Sequence, residues 1–102
     1  MFLPGSKPKA LFNLGQLVAT KAIALECTPA VIAALIARHA TGDWGTLDSE
    51  DQEQNQQELV NGYRVMSSYE LEDGSKVWII TDNLHPEPGT STITTVLRPD
   101  DY

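Results

Sequence analysis

His39 and Asp43 are the residues whose types and spacing come closest to chemistry in this sequence. They stand four apart, across what the flanking residues mark as a helix end. An imidazole and a carboxylate so placed can share a metal ion, or can act as a general base and the group that orients it. The competing reading is structural. A histidine in the last turn of a helix satisfies carbonyls of its own helix and complements the negative helix end. Cys27 precedes a helix start, a position that can acidify a thiol. It also follows an Ala- and Leu-rich stretch that suits a small buried hydrophobe. His85 lies in a loop with two prolines and reads as exposed. Two histidines and one cysteine make no standard zinc spacing. No nucleophile elbow, P-loop or dinucleotide fingerprint occurs. Gly42-Asp43-Trp44-Gly45 places an acid where a phosphate cradle needs uncharged backbone donors. The expectation is therefore no catalytic set and no cofactor, with His39 and Asp43 the candidates if a metal binds.

Charge is the second feature with chemical content. The 102 residues carry a net charge of −7, and it is unevenly spread. Residues 1–42 hold Lys7, Lys9, Lys21 and Arg38 against Glu26 alone. Residues 43–102 hold Arg64, Lys76 and Arg98 against thirteen acids. Asp43, Asp48, Glu50, Asp51, Glu53 and Glu58 follow one another with no base between them. A dedicated phosphate-backbone binder needs clustered Lys and Arg, so direct nucleic-acid binding is not expected. An acidic stretch is either a solvated face that keeps a small protein in solution or a surface that docks a basic partner. On the second reading the candidate partner-binding residues are Asp48, Glu50, Asp51, Glu53 and Glu58. Trp44 beside them would be the hot spot if exposed. Trp44 and Trp78 otherwise read as core aromatics.

The elements that must position these groups are legible in outline. Residues 1–10, with Pro4, Gly5 and Pro8, read as an irregular arm, and 11–102 as one α+β domain. Residues 14–20 suggest a short strand, after which Thr20 caps a short helix through Glu26. Thr28-Pro29 is a strong helix start. The helix runs over 29–41, with Val31, Ile32, Leu35, Ile36 and His39 on one face. A helix-turn-helix reader is rejected, because Arg38 and His39 sit at the wrong end of the second helix to read bases. Asp48 or Ser49 caps an acidic helix over 49–60, anchored by Leu47, Leu59 and Val60. From Tyr63 the period changes to two, giving antiparallel strands over 63–71, 76–82 and 90–97. Asp73-Gly74 signals a tight hairpin. A two-residue loop there pairs Glu72 with Ser75, Tyr69 with Trp78 and Ser67 with Ile80. No run approaches the roughly 18 apolar residues of a membrane span. A lone cysteine fits a reducing, cytoplasmic setting.

Leu14-Gly15-Gln16-Leu17-Val18-Ala19-Thr20, Ala37-Arg38-His39, Gly42-Asp43-Trp44-Gly45, Asp51 and Asn55 before Gly62-Tyr63-Arg64, Ser67-x-Tyr69, Asp73-Gly74-x-Lys76-x-Trp78-Ile79-Ile80-Thr81 and Thr94-Thr95-Val96-Leu97 form an ordered series. This series, over about residues 11–102, resembles a family of small bacterial plasmid-related proteins carried on mobile elements. The resemblance implies a mobile-element setting and no established activity. Some members bear the label of a type I restriction-modification subunit. The cofactor-binding α/β domain of such a methyltransferase is several times larger than this chain. The arm and the loop over 83–90 are longer here than in the family.

Three functional expectations follow. The first is a non-enzymatic interaction protein of a mobile element, docking a protein with a basic surface through the acidic helix. Its narrow form is an anti-defence inhibitor that imitates the charge of DNA. The second is a small enzyme or metal-binding protein centred on His39 and Asp43. The third is a regulatory or antitoxin-like subunit that pairs, with a partner or with itself as a homodimer, through its last strand.

Overall fold

A computed structural model describes residues 9–102. Of the expected arm, Lys9 and Ala10 are exposed and outside regular structure; the rest, Lys7 included, lies outside the described residues. The chain is α+β: β1 (Gln16–Ala19), α1 (Lys21–Glu26), α2 (Pro29–Ala40), α3 (Ser49–Asn61), β2 (Arg64–Glu70), β3 (Lys76–Asp82), β4 (Ile93–Leu97) and a final 3-10 turn, Pro99–Asp101. No helix among the described residues is long and apolar enough to cross a membrane.

The helix starts follow the capping chemistry, with one exception. Thr28 Oγ1 accepts the Val31 N–H at 3.2 Å, and Asp48 Oδ1 accepts the Asp51 N–H at 2.8 Å. Thr20 makes no such cap on α1. Its hydroxyl donates instead to Asp101 Oδ2 at 2.8 Å, tying the end of β1 to the C-terminal turn.

Strands β2, β3 and β4 form the expected antiparallel meander, and β1 adds a fourth strand. It lies parallel to β4, so the sheet is mixed, in the order β1-β4-β3-β2. The last strand begins at Ile93 rather than Thr90, because Thr90 is held in a turn by the Glu87 carbonyl. Enclosed between β1 and β3, it presents no edge. Pairing of a partner through the last strand is thereby overturned.

The hairpin register also differs from expectation. The loop has three residues, Glu72-Asp73-Gly74. The Leu71 N–H donates to Ser75 O, and the Gly74 N–H returns to Leu71 O. Gly74 takes φ +84°, the bulge position of such a loop. Tyr69 therefore opposes Val77, Ser68 opposes Trp78 and Ser67 opposes Ile79. A one-residue slip exchanges the faces of the strand. Tyr69 points into the core, while Trp78 faces the other way and packs edge-on against Tyr102 at 5.9 Å between ring centroids.

One sheet face carries Tyr69, Val77, Ile79 and Val96, covered by Ile23 and Cys27 from the α1 segment and by Leu35 of α2. A second cluster joins Trp44, Val65 and Leu84 with Phe12, Leu47 and Leu59.

The two sheet edges are treated differently. On β2, Asn55 of α3 donates its amide N–H to Met66 O at 2.8 Å and accepts the Met66 N–H at 3.2 Å. Two residues on, the Ser68 N–H donates to Trp44 O and Ser68 O accepts the Thr46 N–H. A Cβ on Gly45, at φ +72°, would run into the Ser68 carbonyl, so this close approach requires glycine. The acidic helix and the loop before it thus close the β2 edge. All four residues of β1 are exposed.

Candidate functional site

His39 does not cap its own helix. It is fully buried, with its ring nitrogens bonded to two strands: Nδ1 lies 2.5 Å from Ser67 Oγ and Nε2 lies 2.9 Å from Thr81 Oγ1. Thr81 Oγ1 lies 2.7 Å from Thr94 Oγ1, and the Thr94 hydroxyl donates to Leu14 O at 2.7 Å. One proton per hydroxyl fixes every direction in this chain. Thr94 spends its proton on the Leu14 carbonyl, so Thr81 donates to Thr94. Thr81 must then accept from His39 Nε2–H, which leaves Nδ1 to accept from Ser67. The imidazole is the neutral Nε2–H tautomer. Desolvation by burial agrees, pushing its pKa down from 6.5 to about 4. Phe12 and Trp44 each meet the ring edge-on, at 5.3 and 5.7 Å.

A serine donating to a histidine is the first half of a nucleophile–base arrangement. Here both residues are 0% exposed, and no reacting atom can reach Ser67 Oγ. The pair is a packed polar core in which every member is satisfied.

Asp43 is turned away from His39. Its Oδ2 accepts from Arg38 Nε at 2.6 Å and its Oδ1 accepts the Gly45 N–H at 3.1 Å. The Arg38 hydrogen bond, ahead of the Gly45 bond, holds the Asp43 carboxyl below its ordinary range. Arg38 also lies over the Tyr69 ring at 4.6 Å, and the Tyr69 hydroxyl donates to Asp43 O at 2.6 Å. The His39–Asp43 pairing read from spacing is therefore not made. No group of three His, Cys, Asp or Glu residues suited to a metal occurs among the described residues. Cys27 is buried in the helix–sheet core. Trp44 is 3% exposed, which removes it as a partner-binding hot spot.

The acids of α3 separate into two kinds. Asp48 caps the helix. Glu58 turns its Oε1 toward the N–H groups of Tyr63 and Arg64, at 3.3 and 3.4 Å. These two hold structure. Glu50, Asp51 and Glu53 are exposed and enter no ion pair among the described residues. Glu50 and Asp51 complement the positive end of the helix, but its seat on the sheet is made by others: Asn55 fixes it to β2, Gln52 Nε2 donates to Leu47 O, and Leu47 and Leu59 pack beneath it.

A second acidic place joins Glu26 to the acids of the hairpin. A cleft of about 500 Å³ opens between the α1–α2 junction and the β2–β3 hairpin, lined by Val31, Leu35 and Leu71, by Glu26, Glu70 and Glu72, and by Arg38. The hairpin brings together acids that stand far apart from Glu26 in the chain, and no spacing rule shows that. The three arginines are already engaged: Arg38 by Asp43, Arg64 by Asp82 and Arg98 by Glu26. The remaining field is negative, concentrated on α3 and around the hairpin.

Comparisons of the chain with known protein families, curated proteins and solved structures give no match.

Proposed function

We propose that this chain is a non-enzymatic interaction protein that docks a basic protein surface through the exposed acids of α3. The observation that carries the reading is the division of labour within α3. Asp48, Gln52, Asn55 and Glu58 seat the helix, while Glu50, Asp51 and Glu53 are exposed and unpaired among the described residues. Unpaired surface acids steer and orient a basic partner more than they stabilise a fold. The burial of His39, Ser67, Cys27 and Trp44 speaks for a surface function over a catalytic one.

The narrower form of the proposal is an anti-defence role in the cytoplasm of a cell carrying a mobile element, following the family resemblance. The acids then occupy the basic groove of a nuclease in place of phosphates. Affinity purification at low salt from cells of a plasmid-bearing bacterium tests the broad form. A basic protein retained by the native chain and lost from a Glu50→Gln, Asp51→Asn, Glu53→Gln variant supports it. Neutral replacements are preferable to lysines, which would oppose the positive end of α3. Inhibition of DNA cleavage by the captured partner tests the narrow form.

A further inference from the structure

The open edge of the sheet carries a pattern that the closed edge does not. Gln16 N–H donates to Thr92 O and Thr20 N–H to Val96 O, both toward β4. Backbone groups alternate sides along a strand, so those of Val18 also point inward, and those of Leu17 and Ala19 point outward. The outward groups have no partner among the described residues. Leu17 is 51% exposed and Val18 40%, and Ile93 on the neighbouring strand is 39% exposed. An edge with free main-chain groups and apolar side chains is a template for another strand.

The occupant follows from register and charge. We propose that β1 pairs antiparallel with β1 of a second copy, across a two-fold axis at Val18. With Val18 opposite Val18 of the partner copy, Leu17 faces Ala19 and Ala19 faces Leu17. Both are hydrogen-bonded pairs, because the outward groups of each copy meet the outward groups of the other. The strand is its own complement, as a two-fold interface requires. Charge selects the same edge. No acid occurs before Glu26 and none in β4, whereas the β2 edge is covered by α3. Two copies of net charge −7 that meet through β1 bring together strands that carry no acid. At one end of β1 Asp101 is bonded to Thr20, whose chain neighbour is Lys21, and at the other end the loop that holds Glu87 shares a cleft with Gln16. Both α3 helices stay free at the outer ends of the joined sheet, so the dimer and the docking of a basic partner stand or fall separately.

The test is made on the full chain. Light scattering after gel filtration across micromolar to millimolar concentration should show a dimer. Leu17→Pro should convert it to monomer with an unchanged circular dichroism spectrum, since the lost N–H points outward and β1 keeps its bonds to β4. Val18→Cys, with Cys27→Ala to remove the native thiol, should oxidise to a covalent species of twice the chain mass. The opposed Cα atoms of a non-hydrogen-bonded pair lie about 4.5 Å apart, within disulfide reach. Leu17→Cys in the same background should not cross-link, because Leu17 faces Ala19 of the partner copy. A chain that is monomeric at every concentration overturns the proposal. So does a dimer that survives Leu17→Pro and leaves Val18→Cys uncrosslinked.

Discussion

Burial makes His39 a source of pH-dependent stability. Its pKa falls from 6.5 to about 4 in the folded chain. Between those values the unfolded chain binds more protons, so stability rises with pH. The contribution is fully present above 6.5 and is lost as pH falls toward 4, by up to about 3 kcal/mol. Urea midpoints should decline through that window. Nitrogen-15 spectra of the imidazole should show the Nε2–H tautomer at neutral pH; titration near 6.5 would contradict the buried assignment. Ser67→Ala leaves Nδ1 without a donor and should cost about 1–3 kcal/mol in chemical denaturation, with partner capture unchanged. Placement of His39 on the apolar face of α2 was legible from its spacing to Leu35 and Ile36. Its partners were not, although strand alternation puts Ser67 on the same face as Val65 and Tyr69. A serine between two core residues is a buried polar group that needs an acceptor. Asp43 was misread because spacing along a chain does not say which way a side chain turns after a helix ends.

The elements were legible in type and order, and less so in register. Asp73-Gly74 suits a two-residue hairpin loop and a three-residue one alike. The signal that separates them is electrostatic: only the three-residue loop sets Glu70 opposite Lys76. Nothing in the run Gln52–Gln57 marks Asn55 as the residue that closes the β2 edge, since its neighbours share its polarity. Two comparisons test these assignments. Asn55→Ala strips both hydrogen bonds from the Met66 backbone and should cost about 1–3 kcal/mol. Gln54→Ala, at an exposed position of the same helix, should change stability by less than about 0.5 kcal/mol. Gly74→Ala meets no neighbouring atom and should cost only the left-handed backbone penalty, about 1–2 kcal/mol. Gly15→Ala carries that penalty and a clash with the Thr92 carbonyl, so its melting temperature should fall further.

At the scale of the molecule, the net charge of −7 resolves into places. Arginines sit in ion pairs, the first twenty-five residues hold no acid, and the exposed acids gather on α3 and around the hairpin. The acidic character of α3 was plain in the sequence. Its second task, sealing a strand edge, required the sheet order, which no local pattern encodes. Docking through exposed charge predicts a specific salt response. Exposed pairs are screened over a Debye length of about 8 Å at physiological ionic strength, so partner retention should weaken steeply with added salt. The most direct measurement is quantitative affinity enrichment with the native chain and with the Glu50→Gln, Asp51→Asn, Glu53→Gln variant, both confirmed folded by circular dichroism. The account predicts a basic protein enriched by the native chain and lost from the variant. Recovery of the same proteins in the same amounts by both would contradict it.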